Sequence, residues 1–246
     1  MIHIAETVGV GSIENFADAA ELDQLAALMT KHLARQGAIP DPYGSDRPAS
    51  IHEIPGHTPA QAMAVYEPRG RIEITDIPEH AEQLLQRAFD RARPALARLM
   101  PSITTCRPWT YVEYGPGQHI TSHLDGIAPD PYAWPRQIAG ISVVVAPAGH
   151  GGGFYIETTA SDSLWHLRAD QAQEHGYAEG MWLANDGADN SSSWFQQMPR
   201  TRWTVHPAAG TALLYGSQLA HGTEPVTDGR SAKFISWLAA DPAEPS

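Results

Sequence analysis

Apolar residues recur at helical spacing in two stretches of the first hundred residues. The first stretch runs from about residue 13 to residue 36, and the second runs from about residue 78 to residue 100. Pro94 should kink or split the second helix, because proline lacks a backbone N–H and its ring clashes with the preceding turn. The region between the two helices is rich in proline and glycine, and its alternating run at 71–75 predicts one strand.

After Pro101 the pattern changes to short runs of β-type residues separated by turns. The predicted strands cover residues 110–114, 118–123, 138–146, 154–158, 203–206, 211–215 and 233–238. Strands at this spacing are typical of a sandwich or a barrel. We therefore expect one mainly β domain over residues 1–246, in which a mostly helical part (1–100) packs on the outside of a β-core (101–240).

One segment of the β-rich half does not follow this pattern. Residues 160–202 are polar and rich in glycine, asparagine and serine, yet they carry Trp165, Trp182 and Trp194. An insertion of this length in a compact domain is usually a binding loop, a lid or a surface elaboration. We expect a lid over a site, with a simple surface elaboration as the alternative.

Composition and charge limit the classes of partner. Of 246 residues, 42% are hydrophobic and 18% are charged, which is ordinary for a soluble globular protein. The net charge of -12 and the lack of a basic stripe argue against a nucleic-acid partner. The single cysteine, Cys106, excludes an intrachain disulfide. Neither a signal peptide nor a membrane-spanning run is evident, so we expect a cytoplasmic protein with no membrane partner. The sequence does not determine the oligomeric state.

The candidate chemistry begins with His123-Leu124-Asp125, at the end of a predicted strand. Side chains two positions apart on a strand project to the same face, so His123 and Asp125 can reach one ion. A second His-x-acid pair, His80 and Glu82, falls in a predicted helix, where residues two apart point to different faces. The alternative for the first pair is a core histidine followed by a turn carboxylate.

Two further blocks of sequence accompany this pair. A glycine-rich block runs from Gly149 to Phe154, and a later block places His221 before Pro225-Val226 and a Gly-Arg pair. Together with the tyrosine-turn-strand segment that precedes His123, they resemble the iron(II)/2-oxoglutarate-dependent dioxygenases, especially the prolyl-hydroxylase-like branch. The resemblance covers residues 109–238 in the same order. It implies a double-stranded β-helix, or jelly-roll, core with helices packed outside.

The resemblance implies that His123, Asp125 and His221 bind Fe(II), with 2-oxoglutarate and O₂ as cosubstrates. Two imidazoles and one carboxylate suit iron(II) and leave three positions open. The reaction implied is decarboxylation of 2-oxoglutarate to succinate and CO₂, coupled to oxidation of a C–H bond. Related halogenating enzymes replace the carboxylate with a small residue. The presence of Asp125 therefore favours hydroxylation, or another oxidation such as desaturation or ring closure.

The resemblance also implies a basic residue that clamps the far carboxylate of 2-oxoglutarate. The position that should be basic is Ser231, with Arg230 before it and Lys233 two residues after it. Strand alternation favours Lys233, but we prefer Arg230, because a bulge after the turn at Gly229 could direct it inward. Tyr114 matches a family tyrosine near the iron and 2-oxoglutarate. The aromatic residue that the family carries on the next strand has no clear counterpart, since Val143 falls near that position.

A small molecule, such as an amino acid or a biosynthetic intermediate, is the expected substrate, and a side chain in a protein or peptide is the alternative. A non-catalytic or zinc-binding cupin-like protein is a second alternative, because fold alone does not fix function. A nucleic-acid demethylase is disfavoured by the net charge of -12. The block His150-Gly151-Gly152-Gly153 resembles an esterase oxyanion hole, but the chain lacks the required Gly-x-Ser-x-Gly elbow, and we interpret the glycines as a tight turn.

Overall fold

The computed structural model describes residues 4–35, 52–125, 134–158 and 189–241. The helices in these ranges are α1 (Ile4–Thr7), α2 (Ala19–Arg35), α3 (Pro59–Tyr66), α4 (Glu79–Leu99) and α5 (Ser193–Gln197). The strands are β1 (Val10–Ile13), β2 (Ile72–Ile74), β3 (Thr105–Cys106), β4 (Thr110–Tyr114), β5 (Ile120–His123), β6 (Arg136–Ala146), β7 (His150–Gly151), β8 (Phe154–Thr158), β9 (Thr201–Val205), β10 (Ala212–Gly216), β11 (Ala220–Thr223), β12 (Val226–Asp228) and β13 (Ser231–Ala240).

Two antiparallel sheets form the β-core. The major sheet has the strand order β1-β10-β6-β13-β4-β2, and β3 also pairs with β13. The minor sheet has the order β5-β11-β8-β9, and β12 pairs with β7 as a short ribbon. Residues from both sheets line one interior pocket. This arrangement is a double-stranded β-helix, which confirms the fold expected from the sequence.

The helices α2 and α4 cover the outer face of the major sheet. The apolar stripe of α4, including Leu85 and Phe89, joins a single core cluster with sheet residues such as Ile141, Val143 and Phe234. Because β6 is covered on both faces, it is buried along nearly its whole length. The core therefore lies between the helices and the sheet, and the interior between the two sheets is left for a site.

The short helix α3 has a well-defined start. Thr58 accepts a hydrogen bond from the backbone N–H of Gln61, and the Gln61 side chain accepts one from the backbone N–H of Thr58. This capping box, with Pro59 at the first helical position, satisfies backbone donors that a helix otherwise leaves open. The helix ends at Tyr66, whose ring contacts His123.

The predicted elements compare well with the observed ones. The strands at 110–114 and 154–158 are confirmed with the same bounds, and both long helices are present. Pro94 lies inside α4, but it does not split the helix, which continues to Leu99. Across the described ranges, none of the helices combines the length and the hydrophobicity needed to cross a bilayer.

Candidate metal centre

The three predicted metal ligands meet on the inner face of the minor sheet. His221 on β11 lies directly opposite His123 on β5, and opposite residues of an antiparallel pair project to the same face. Asp125 follows β5, and its Oδ1 lies 3.4 Å from Nε2 of His123 and 3.8 Å from Nε2 of His221. One ligand atom from each residue lies within 4.8 Å of the others. Among the described residues, this group has the spacing that a metal ion requires.

Each histidine turns the same nitrogen toward the backbone. Nδ1 of His123 lies 2.8 Å from the carbonyl oxygen of Thr121, and Nδ1 of His221 lies 2.9 Å from that of Leu219. Because a carbonyl oxygen can only accept, we assign the proton of both rings to Nδ1. Both Nε2 atoms then present a lone pair beside Asp125. Contacts of this kind orient the imidazoles that bind metals.

The buried environment favours the protonation states that a cation needs. Burial lowers the pKa of His221 to about 4, so this imidazole is neutral near pH 7. Burial opposes ionisation of Asp125, but the neighbouring His221 and His123 outweigh it and keep the pKa of this carboxyl below its ordinary value. One carboxylate and two imidazole nitrogens fit a divalent cation such as Fe(II), and the same donors also fit Zn(II).

The second His-x-acid pair is not part of this centre. His80 is exposed on α4. Oε2 of Glu82 accepts a 3.0 Å hydrogen bond from the backbone N–H of Trp109, at the start of the β-core. This placement agrees with the expectation that His80 and Glu82 point to different faces of the helix.

A buried cation lies on the interior wall next to the ligands. Lys233 on β13 is 6% exposed, and its Nζ donates a 2.8 Å hydrogen bond to Oγ1 of Thr223, two residues after His221. The same Nζ lies 5.0 Å from the ring centre of Tyr114. Burial, with a contribution from the charge of Arg71, lowers the pKa of Lys233 to about 7. These residues and the three ligands line one cavity, hereafter the metal pocket.

Arg230, the basic residue that the sequence analysis preferred, lies outside the metal pocket. Its side chain is 56% exposed and forms an ion pair with Glu113 on β4. The turn at Gly229, with φ +75°, leads into β13, and the register shift against β6 comes only between Ala232 and Lys233. The bulge therefore comes too late to direct Arg230 inward. This placement corrects our preference: the inward-facing cation on β13 is Lys233.

A buried arginine that the sequence pattern did not single out, Arg71, holds Tyr114. Nη1 of Arg71 donates a 2.6 Å hydrogen bond to the Tyr114 hydroxyl, while Nε and Nη2 donate to Oε2 of Glu73 at 3.1 and 2.6 Å. Nε also lies 3.3 Å from Oε1 of Glu67. The available signal was the Arg71-Ile72-Glu73 alternation, which puts two opposite charges on one face of the predicted strand.

Two aromatic residues beside the ligands were also missed. His52 stacks on Tyr66 with ring centres 4.1 Å apart, and both rings meet His123 edge-on at 5.2 and 5.3 Å. The Tyr66 hydroxyl in turn hydrogen-bonds to Asp189, which is 7% exposed. The end of the predicted insertion therefore reaches the neighbourhood of the metal ligands.

The remainder of that insertion can be described only in part. Residues 159–188, with Trp165 and Trp182, lie outside the described residues. In the described part, Phe195 and Met198 pack against Leu124 and Ala220, which neighbour the metal ligands in sequence. Whether the whole segment 160–202 acts as a lid therefore stays a prediction.

An aromatic residue on β10, and not the residue at position 143, faces the metal pocket. Val143 is buried in the core under the helices. Tyr215 on β10 lines the metal pocket instead, and its ring centre is 4.4 Å from that of His221. It lies opposite Gly140, where a Cβ would come within 2.3 Å of the Tyr215 ring. Trp237 also lines the metal pocket, whereas Trp109 lies in the core.

Comparison with solved structures identifies the fold. A prolyl-4-hydroxylase from Pseudomonas putida is 14% identical, with a TM-score of 0.54 over 97% of this chain and 96% of that one. HygX from Streptomyces hygroscopicus, with nickel and 2-oxoglutarate bound, is 12% identical, with a TM-score of 0.55 over 96% and 84%. The epimerase SnoN, in complex with Fe³⁺ and α-ketoglutarate, is 13% identical, with a TM-score of 0.55 over 98% and 84%.

These likenesses define the class of fold. No protein-family model matches the sequence, and no curated protein is similar enough to count as a relative. The chain has the jelly-roll fold of these structures, two of which hold a metal ion and 2-oxoglutarate, and it carries a His-Asp-His group with metal-binding spacing inside that fold.

Proposed function

We propose that this protein is an iron(II)- and 2-oxoglutarate-dependent oxygenase that oxidises a C–H bond of a small molecule. The observation that carries the proposal is the meeting of His123, Asp125 and His221 on paired strands, with both Nε2 atoms facing the Asp125 carboxylate. Two imidazole nitrogens and one carboxylate would hold iron(II) and leave room for a bidentate 2-oxoacid and O₂.

Held by His123, Asp125 and His221, iron would supply the oxidising chemistry, in which O₂ converts 2-oxoglutarate to succinate and CO₂ and its second oxygen atom oxidises the substrate. The protein's own residues bind, orient and exclude water. Phe154 and Ile120 are buried apolar residues that line the metal pocket beside the ligands. A dry pocket strengthens the electrostatic contacts that hold a charged cosubstrate.

Lys233 is the residue we propose to bind the far carboxylate of 2-oxoglutarate. It lines the metal pocket, and its Nζ is held by Thr223 on the strand that carries His221. Tyr114 lies against the same ammonium group, and its hydroxyl is oriented by Arg71, so it is placed to donate to a cosubstrate oxygen. Arg230 pairs with Glu113 at the surface and takes no part in this role.

The small-molecule assignment is supported by the burial of the metal ligands. The metal pocket has a volume of about 40 Å³, and all three ligands are largely buried. The contact between Asp189 and Tyr66 brings the end of the 160–202 insertion against the pocket, which suits a segment that encloses its substrate. Small-molecule sites usually bury most of the ligand surface.

A second candidate is a hydroxylase of peptide side chains, and one observation favours it. Trp203 on β9 lies opposite Ile156 on β8, which lies opposite His221, so the three side chains share the inner face of the minor sheet. Trp203 is 62% exposed and Val205 is 47% exposed. Exposed apolar residues in line with a metal ligand suit a longer, extended substrate.

A screen for succinate release decides between the two. The iron-loaded protein is incubated with 2-oxoglutarate and O₂, and with free amino acids, other small metabolites or short peptides in separate reactions. The proposal predicts succinate above the substrate-free rate with a small molecule, and none with Asp125→Ala. Turnover on peptides alone would replace the first candidate by the second. A protein that binds Zn(II) and never releases succinate would refute both.

A further inference from the structure

A second cavity lies in the barrel interior beside the metal pocket. Its volume is about 240 Å³, compared with about 40 Å³ for the metal pocket. Ser142, Phe154 and Lys233 line both spaces, so these three side chains form the boundary between them. Nothing in the proposed reaction with 2-oxoglutarate uses the larger space.

The strands show where this second cavity lies. On β10, Tyr215 lines the metal pocket and Leu213, two positions away, lines the second cavity. On β13, Ile235 lines the metal pocket, Lys233 lines both, and Ser231 lines only the second cavity. Positions two apart on a strand share a face, so the second cavity continues the barrel interior beyond Lys233, away from the metal.

The glycine block that resembled an oxyanion hole forms part of its wall. Gly151 and Gly152 line the second cavity with φ values of +72° and +68°. A Cβ on Gly152 would lie 3.0 Å from Cγ2 of Val226 and 3.5 Å from Cβ of Ser231. Because these residues are glycines, the backbone of the tight turn forms the cavity wall close to β13. A side chain at this position would fill part of the second cavity.

The chemistry of the lining limits the class of ligand. Most of the lining is apolar, including Val144, Pro147 and Ala148, and no acidic residue is among the lining residues that the structure describes. Lys233 supplies a buried positive charge at the inner end, and His206 is exposed at the outer end. Apolar walls with one buried cation suit a methylene chain that ends in a carboxylate.

We propose that the second cavity admits the distal part of dicarboxylic 2-oxoacids longer than 2-oxoglutarate, such as 2-oxoadipate. This inference rests on the proposed function, because the 2-oxoacid end must still meet the metal. The ammonium group of Lys233 sits on a flexible four-carbon stem, so it can follow a carboxylate from the metal pocket into the second cavity. The extra methylene is then accommodated against apolar residues.

The test is the ratio of dissociation constants for 2-oxoadipate and 2-oxoglutarate. Each acid is titrated anaerobically into the iron(II)-loaded protein, followed by its visible charge-transfer band, and into the manganese(II)-loaded protein by calorimetry. A pocket with no room for an extra methylene group binds the shorter acid roughly 10–200-fold more tightly than the longer one. The inference predicts that wild type binds the two acids within about tenfold of each other.

Variants that fill the second cavity make the test specific. Ala148→Leu and Ser231→Leu place side chains in its wall and should weaken 2-oxoadipate binding at least about tenfold, with 2-oxoglutarate within about threefold of wild type. Retained 2-oxoglutarate binding also shows that each variant is folded. Ala97→Leu, on an exposed face of α4, is the matched control and should change neither constant.

The outcomes separate this inference from the proposed function. If 2-oxoglutarate binds and 2-oxoadipate does not, or if filling the cavity leaves the ratio unchanged, the inference is overturned and the proposed function stands. If neither acid binds the metal-loaded protein, the proposed function fails as well.

Discussion

Nζ of Lys233 lies 2.8 Å from Oγ1 of Thr223, so the strand that carries the buried cation is joined by a hydrogen bond to the strand that carries His221. The major and minor sheets are thereby linked at the place where a cosubstrate would bridge the metal and the cation. The backbone positions of His221 and Lys233 are therefore set by two strands, β11 and β13, and not by a loop.

Replacement of Lys233 tests the assignment of the carboxylate clamp. Lys233→Met keeps the length of the stem and removes the charge, and a hydrogen bond to a charged group contributes about 1.5–3 kcal/mol. The apparent KM for 2-oxoglutarate should rise by about 10–100-fold. Arg230→Met is the control, since this side chain pairs with Glu113 at the surface, and its KM should stay within about twofold of wild type. A larger effect of Arg230→Met would return the clamp to Arg230.

The pH dependence of cosubstrate binding follows from the same residue. Burial lowers the pKa of Lys233 to about 7, so above this pH the free protein loses the charge that a carboxylate needs. The apparent KM for 2-oxoglutarate should therefore rise above pH 7, by up to about tenfold per pH unit. Lys233→Arg keeps its charge throughout this range. Its apparent KM for 2-oxoglutarate should therefore depend less on pH than that of the wild type. Identical profiles for the two proteins would show that Lys233 does not control binding.

The buried charges around Arg71 should matter for folding. Arg71→Met removes the cation that Glu67 and Glu73 both face, and breaking a buried pair in this way costs about 3–5 kcal/mol. Urea unfolding should show this loss. Arg91→Met removes a half-exposed partner of Glu21 and should cost less than about 1 kcal/mol. Equal losses in the two variants would contradict the role given to Arg71.

Substitutions at the predicted metal ligands should have effects that a substitution at His80 does not have. His123→Ala and Asp125→Ala should abolish iron binding, measured as metal retained after gel filtration, and succinate release. His80→Ala should change neither, because His80 is exposed on α4. Iron retained at the wild-type level in Asp125→Ala would place the metal elsewhere.

The sequence predicted the fold and the proximity of His123 and Asp125 for a local reason. Strand alternation puts His123 and Asp125 on one face, and the long helices follow from apolar spacing, so both features are encoded in neighbouring residues. Short strands such as β1 and β11 were missed, because their pairing depends on distant partners. The pairing of His221 with His123 also depends on residues far apart in the sequence. It was expected only because the sequence resembles a known family.

The choice between Arg230 and Lys233 could not be made from neighbouring residues alone. Both residues are basic and lie three positions apart. Which of them faces the metal pocket depends on where the register of β13 shifts against β6. That shift is set by packing between strands, which the sequence does not display. Arg71 was missed for a similar reason, since its contact with Tyr114 joins residues 43 positions apart.

The most direct test of the central claim is an anaerobic titration of the protein with iron(II) and 2-oxoglutarate, followed by visible absorption. We expect a weak charge-transfer band that needs both components, does not appear with Zn(II), and is lost in His221→Ala. No band at saturating iron and 2-oxoglutarate, or an undiminished band in His221→Ala, would contradict it.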